Sequence, residues 1–213
     1  MSAVPKLVII GAGGFGREVW AWAGQSVQVG RDWELRGFID DNLDALRRKR
    51  SPGPLLGRIM DHDPAEDEVF ICAIGTPSIR QKCSELIKSR GARFARLYHR
   101  TVVLGHELEI GAGVILCPYA VVSANNRLGE SVVVNLHSSV DHDANVGDWS
   151  QINSHCDLTA AVEVGREVFC GSRVTVAPNI RIGDRAYIGA GSVVFRDVAP
   201  DTKVVGMPAR RIG

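Results

Sequence analysis

Val132 to Gly147 reads Val-Val-Val-Asn-Leu-His-Ser-Ser-Val-Asp-His-Asp-Ala-Asn-Val-Gly, and an aliphatic residue returns in it at Val134, Val140 and Val146. Steps of six outward from Val140 meet Leu104, Ile110, Leu116, Val122 and Leu128 on one side. On the other they meet Ile152, Leu158, Val164, Cys170, Val176, Ile182, Ile188 and Val194. The register does not slip once between 104 and 194. A helix needs apolar spacing near 3.6 and a lone strand near 2, so neither explains a period of six. A hexapeptide period marks a parallel β-helix in which three hexads make one triangular coil. The aliphatic residue of each hexad points into the prism, and coils stack ~4.8 Å apart. Gly often follows it, as at Gly105, Gly111, Gly129, Gly147, Gly165, Gly171, Gly183 and Gly189. These glycines are expected to turn the corners. A β-sandwich with regular turns is the competing fold, but its turn spacing drifts and this one does not.

The rest of the 213 residues bounds the function. Net charge is +1, which gives no electrostatic case for nucleic acid or a membrane surface. No apolar run reaches membrane-spanning length, and the first residues show no signal-peptide pattern, so a cytoplasmic protein is expected. The five cysteines are odd in number and form no CxxC pair, as expected of reduced thiols.

Before the hexads the pattern changes. Lys6 to Ile10 reads as a buried strand, Gly11-Ala-Gly-Gly-Phe-Gly16 as a turn, and the stretch with Val19, Trp20, Trp22 and Ala23 as a helix. Strand, Gly-rich turn and helix bring backbone amides and a helix N-terminus to one point, which suits an anion. A second strand, Leu35 to Ile39, ends in Asp40-Asp41, where a ribose-reading acid falls in a dinucleotide fold. Residues 42–54, with Arg47-Arg48-Lys49-Arg50 and Pro52-Gly53-Pro54, read as a solvated loop. Val69 to Ile74, a helix from Ser78 to Ser89 and a strand from Arg93 to Leu97 complete a parallel α/β unit of about four strands. GxGxxG alone suggests an NAD-dependent enzyme, but no second dehydrogenase domain follows. The expected organisation is a half-Rossmann-like α/β unit at 1–101 and a left-handed parallel β-helix with a C-terminal tail at 102–213.

Gly11–Gly16, Phe38-Ile-Asp-Asp41, Ala73-Ile-Gly-Thr76, the hexads, Val140-Asp-His-Asp143 and Val205-Gly-Met-Pro-Ala209 together resemble one family. It comprises the nucleotide-sugar acetyltransferases of the sialic-acid O-acetyltransferase-like group, whose members N-acetylate UDP-linked 4-amino-sugars and GDP-perosamine. The resemblance implies His142 as catalytic base, Asp143 as its acidic neighbour and Asn135 lining the same site. Gly13, Gly14, Phe15, Arg17, Asp40, Asp41 and Gly75 match nucleotide-sugar contacts. Gln151, Ser172 and Ala190 match acetyl-CoA contacts, and the Ala160 amide matches the donor that faces the thioester carbonyl. The family often has His where this chain has Phe15 and Gln151. It also implies a homotrimer with active sites between subunits, serving lipopolysaccharide or O-antigen biosynthesis.

The chemistry required is amine attack on a thioester. A neutral imidazole, of ordinary pKa ~6.5, suits the proton transfer, and an adjacent carboxylate would fix its tautomer. Nothing suggests an acyl-enzyme, so direct transfer is expected. The bland alternative for His142 is a solvated His on a corner. A hydroxyl acceptor, or a non-catalytic trimer that binds nucleotide sugar, are the other readings. Residues 18 apart should stack, which places His137 over His155. A zinc site of the γ-carbonic-anhydrase kind would use His137 and His142, but its third ligand falls at Thr101, so no metal is expected.

Overall fold

The computed structural model describes residues 4–50 and 53–213. Met1 to Ala3, and Pro52 of the expected loop, lie outside the described residues. The chain divides into two compact units, Met1–Arg100 and Thr101–Gly213.

The first unit is a parallel sheet flanked by two helices. β1 (Lys6–Ile10), α1 (Gly14–Ala23), β2 (Glu34–Ile39), β3 (Leu55–Gly57), β4 (Glu68–Cys72), α2 (Pro77–Ser89) and β5 (Arg93–Phe94) follow in order. The sheet order is β3-β2-β1-β4-β5, so the chain reverses direction of travel at β1. Leu7 to Ile10 are fully buried, as expected of a central strand covered on both faces. α1 buries Val19, Trp20 and Ala23, and the Trp20 ring lies 4.8 Å from that of Phe38. Val8, Ile10, Ile39, Phe70, Cys72 and Ile87 form the core against α2. The sheet has five strands, not four. Leu55-Leu-Gly57 is an edge strand too short to show a period, and it follows Pro54 directly.

The second unit is the prism. Two-residue strands recur every six residues and pair in parallel with strands 18 residues away, as Val121 with Ser139 and Ser139 with Asp157. One face holds strands 103–104, 121–122, 139–140, 157–158, 175–176 and 193–194. A second holds 109–110, 127–128, 145–146, 163–164 and 181–182. The third runs from 115–116 to 187–188 and on to Lys203–Val205, where the spacing shortens and Arg210–Arg211 adds antiparallel. The aliphatic ladder is buried from Leu116 to Val194; only Leu104 and Ile110, on the first coil, are not. A second inward position, two residues before each of these, is buried as well: Val114, Ala120, Val132, Ser138, Ala144, Ser150 and onward.

The corners correct one expectation. The left-handed backbone conformation falls on the third residue after each aliphatic from Leu104 to Ile188, including Tyr119 (φ 61°), Asn125 (57°), His137 (55°) and Asp143 (62°). The glycine directly after the aliphatic has no positive φ. It is there for room: a Cβ on Gly147 would stand 2.6 Å from the carbonyl carbon of Gly165 on the next coil.

Candidate active site

In the first unit the Gly-rich turn closes at the C-terminal end of β1. Gly13 is the N-cap of α1 and offers no side-chain cap, so the first-turn amides lack a side-chain acceptor. Gly13 and Gly14 are exposed, and a Cβ on either, or on Gly75, would meet open space. This is the crevice beyond the strand ends where open α/β sheets hold ligands. Asp40 braces the turn: Oδ2 accepts from the Ala12 amide (2.7 Å) and Oδ1 from the Asn42 amide (2.8 Å). It ties the turn to the end of β2. Asp41 is exposed and, among the described residues, accepts only a longer bond from the Met60 amide (3.3 Å) through Oδ1. The Arg17 guanidinium donates to the Ala12 carbonyl (3.2 Å), and Phe15 packs edge-on against Trp22 (6.2 Å).

In the second unit His142 and Asp143 share the corner between the first and second faces. His142 Nδ1 lies 2.7 Å from Asp143 Oδ2. The ring is 60% exposed and the carboxylate 52%. The His142 ring, and then the Asn125 amide, hold the Asp143 carboxyl below its ordinary value. Burial, and then the Asp157 carboxylate, push Asp141 the other way. With Nδ1 turned to the carboxylate, the tautomer that donates from Nδ1 leaves Nε2 as a proton acceptor. One coil further, at the same corner, the Ala161 amide donates to the His142 carbonyl (2.9 Å). Among the described residues the Ala160 N–H donates to no protein acceptor.

The remaining candidates stand elsewhere on the prism. Asn135, Ser172 and Ala190 occupy the corner between the third and first faces, with Gln151 buried on the adjoining third face. Strand 139–140 runs between Asn135 and His142, so within one copy the width of a face separates them. Proximity in sequence hid this, because seven residues carry the chain past a corner and across a face. His137 and His155 stack with rings 5.1 Å apart and 3° from parallel, with Tyr119 4.7 Å beyond His137. Thr101 accepts from the Tyr119 amide (2.8 Å). Among the described residues no cluster of three or more His, Cys, Asp or Glu could hold a metal ion. No helix among them is long and apolar enough to cross a membrane.

Two residues escaped the reading of the sequence. Asn125 Nδ2 donates to Asp143 Oδ1 (3.1 Å), and buried Asn126 bonds the backbone on both sides of His142. Both lie 18 residues before groups they touch, a signal the coil spacing already contained.

The PglD N-terminal domain family matches residues 6–87, and the bacterial transferase hexapeptide family (six repeats) matches residues 161–196. The chain is 30% identical to the GDP-perosamine N-acetyltransferase of Escherichia coli O157:H7 over 206 residues, 93% of this chain and 81% of that protein. It superposes on the acetyltransferase domain of PglB from Neisseria gonorrhoeae FA1090 in complex with acetyl coenzyme A. That match has TM-score 0.90 and 26% identity, over 99% of this chain and 100% of the other. PerB from Caulobacter crescentus, in complex with CoA and GDP-perosamine, matches with TM-score 0.87 and 25% identity, over 99% of both chains. A prism of hexads bearing a His–Asp pair, preceded in the chain by a Gly-turn α/β unit, defines a hexapeptide-repeat acyltransferase. The chain belongs to the nucleotide-sugar N-acetyltransferase family, enzymes whose acyl donor is acetyl-CoA.

Proposed function

We propose that the protein transfers the acetyl group of acetyl-CoA to the amine of a nucleotide-linked 4-amino-4,6-dideoxyhexose of the perosamine type, with His142 as general base. The His142–Asp143 pair carries this reading: an imidazole oriented by a carboxylate is the arrangement that proton removal from an attacking amine requires. The amine nitrogen attacks the thioester carbonyl carbon while its proton passes to His142 Nε2. The C–N bond forms, the carbonyl oxygen becomes an oxyanion, and the Ala160 N–H faces it. The C–S bond then breaks, and the coenzyme thiolate takes up the proton His142 holds. Asp143 stabilises the imidazolium meanwhile. A single well-placed amide donor contributes about 3 kcal/mol to such a transition state.

The Gly13–Gly14 turn, Phe15, Arg17, Asp41 and Gly75 take the nucleotide sugar, and Asp40 holds that turn in place. Gln151, Ser172 and Ala190 take acetyl-CoA. His142 and the Asn135–Ser172–Ala190 corner lie on opposite edges of one face, so a site that uses both takes its second corner from another copy. This supports a homotrimer with active sites between subunits. The GDP-perosamine N-acetyltransferase relative and the PerB complex with GDP-perosamine support an amine over a hydroxyl acceptor. The test is thiol release from acetyl-CoA across UDP-, GDP- and dTDP-linked 4-amino-6-deoxy sugars and their 4-hydroxyl analogues. Turnover confined to an amino-sugar supports the reading. Turnover of hydroxyl acceptors alone, or of none by a folded protein, sinks it.

A further inference from the structure

The inward position of the first corner is aliphatic on every coil but one. Leu108, Ala144, Val162 and Ile180 stack in one column, and the remaining member is Asn126, 2% exposed. A buried amide among alkyl groups is costly unless its bonds are made, and here they are. Its Nδ2 donates to the Val140 carbonyl (3.2 Å) and its Oδ1 accepts from the Ala144 amide (2.8 Å). Those two groups bracket Asp141-His142-Asp143, so the corner that carries the base is pinned at both ends. Small Ala144 sits one coil above the amide.

The neighbouring Asn125 reaches the dyad itself. Its Nδ2 donates to Asp143 Oδ1 (3.1 Å), while Oδ2 of the same carboxylate faces His142 Nδ1 (2.7 Å). An exposed carboxylate held by one partner can rotate about χ2 and give its ring-facing oxygen to water. Held by two, it cannot do so without breaking the Asn125 bond. We propose that Asn125 is a positioning residue of acetyl transfer, fixing the Asp143 carboxylate so that His142 keeps the productive tautomer and orientation. This rests on His142 acting as the base. An ordinary explanation competes with it, because Asn tolerates φ of 57° and would serve as a mere turn residue.

Two variants separate the roles. Asn125→Gly keeps the turn and removes the donor. Asn125→Asp keeps size and turn but sets a carboxylate against Asp143, with Asp141, Asp157, His106, Glu107, Glu109 and Arg127 the other titratable groups on or beside this corner. Both are assayed in the full-length enzyme as kcat, KM for acetyl-CoA and the pH dependence of kcat/KM, with His142→Asn alongside. Asn125→Gly is expected to lower kcat about tenfold with KM for acetyl-CoA and Tm unchanged, since small misplacements cost rate, not binding. Asn125→Asp is expected to move the acidic limb to higher pH, because added negative charge favours the imidazolium. Wild-type kcat in Asn125→Gly, or an unmoved limb in Asn125→Asp, beside an inactive His142→Asn, overturns this inference alone. Full activity in His142→Asn overturns the general-base reading and this inference with it.

Discussion

Gly171→Ala tests the claim that the coils are a rigid, close-packed register that positions the acetyl-CoA corner. Gly171 has no positive φ, so alanine brings no backbone penalty and only space is at issue. Its Cβ would lie 2.6 Å from Ala190 N and 2.9 Å from Ala190 Cα, where ordinary contact begins near 3.4 Å. These are backbone atoms and cannot rotate away, so the Ala190 corner must move by about 0.8 Å, the difference of the two distances. The coils are held there by Gly171 N to Ile188 O (2.8 Å) and Gly191 N to Ser172 O (2.9 Å). The same displacement along these bonds would stretch them to about 3.6 and 3.7 Å, beyond useful hydrogen bonding. Overpacking of this kind costs about 1–3 kcal/mol. At about 2–4 °C per kcal/mol for a chain of this size, Tm falls by about 2–12 °C. Ser172 and Ala190 move with the corner, so KM for acetyl-CoA rises about tenfold while KM for the nucleotide sugar holds. Scanning calorimetry and initial rates read the two effects. A Tm within about 1 °C of wild type, with KM for acetyl-CoA unchanged, would refute the rigid-register argument.

The reciprocal change is Gly16→Ala, whose Cβ would fall on the Gly11 carbonyl. It should raise KM for the nucleotide sugar and leave KM for acetyl-CoA alone in initial-rate measurements. Leu158→Ala empties a fully buried rung of the prism and should cost about 2–5 kcal/mol by denaturant unfolding. Asp141 is pushed above its ordinary value by burial and then by Asp157, so its ionisation opposes folding. That penalty is absent below the unfolded value of about 3.9 and complete above the folded one, so Asp141→Asn should raise Tm at pH 7 and not at about pH 3. Burial pushes the Cys72 thiol to about 12, Cys156 to about 11 and Cys170 well above 9.0. Half-buried Cys83 should therefore react first with a thiol reagent in the native protein.

The prism was legible because one aliphatic position kept its period through fifteen coil edges, and a period of six admits few folds. The second inward position was not, because Ser, Ala, Asn, Cys, Val and Ile share it and only their burial unites them. Glycine after the aliphatic suggested the turn, yet the turn belongs to the third residue, where Tyr, His, Asp and Asn accept positive φ. Of the site, His142 beside Asp143 could be read directly, as neighbours in sequence remain neighbours at a corner. Asn135 could not be placed that way, since the next corner lies a face away. Asn125 and Asn126 required the 18-residue spacing to be applied to polar residues as well as apolar ones. Asp40 was expected to contact the nucleotide; each of its oxygens also accepts from a backbone amide, of Ala12 and of Asn42, a bracing role that no spacing reveals.

The most direct test of the account is the rate of thiol release from acetyl-CoA with GDP-perosamine as acceptor, wild type against His142→Asn, with Tm and CoA binding measured on both. The account predicts a folded variant that binds CoA as wild type does while kcat falls about 10²- to 10⁴-fold, the usual contribution of a general base. A variant that turns over within about twofold of wild type would contradict it and leave the His142–Asp143 pair as an ornament of the corner.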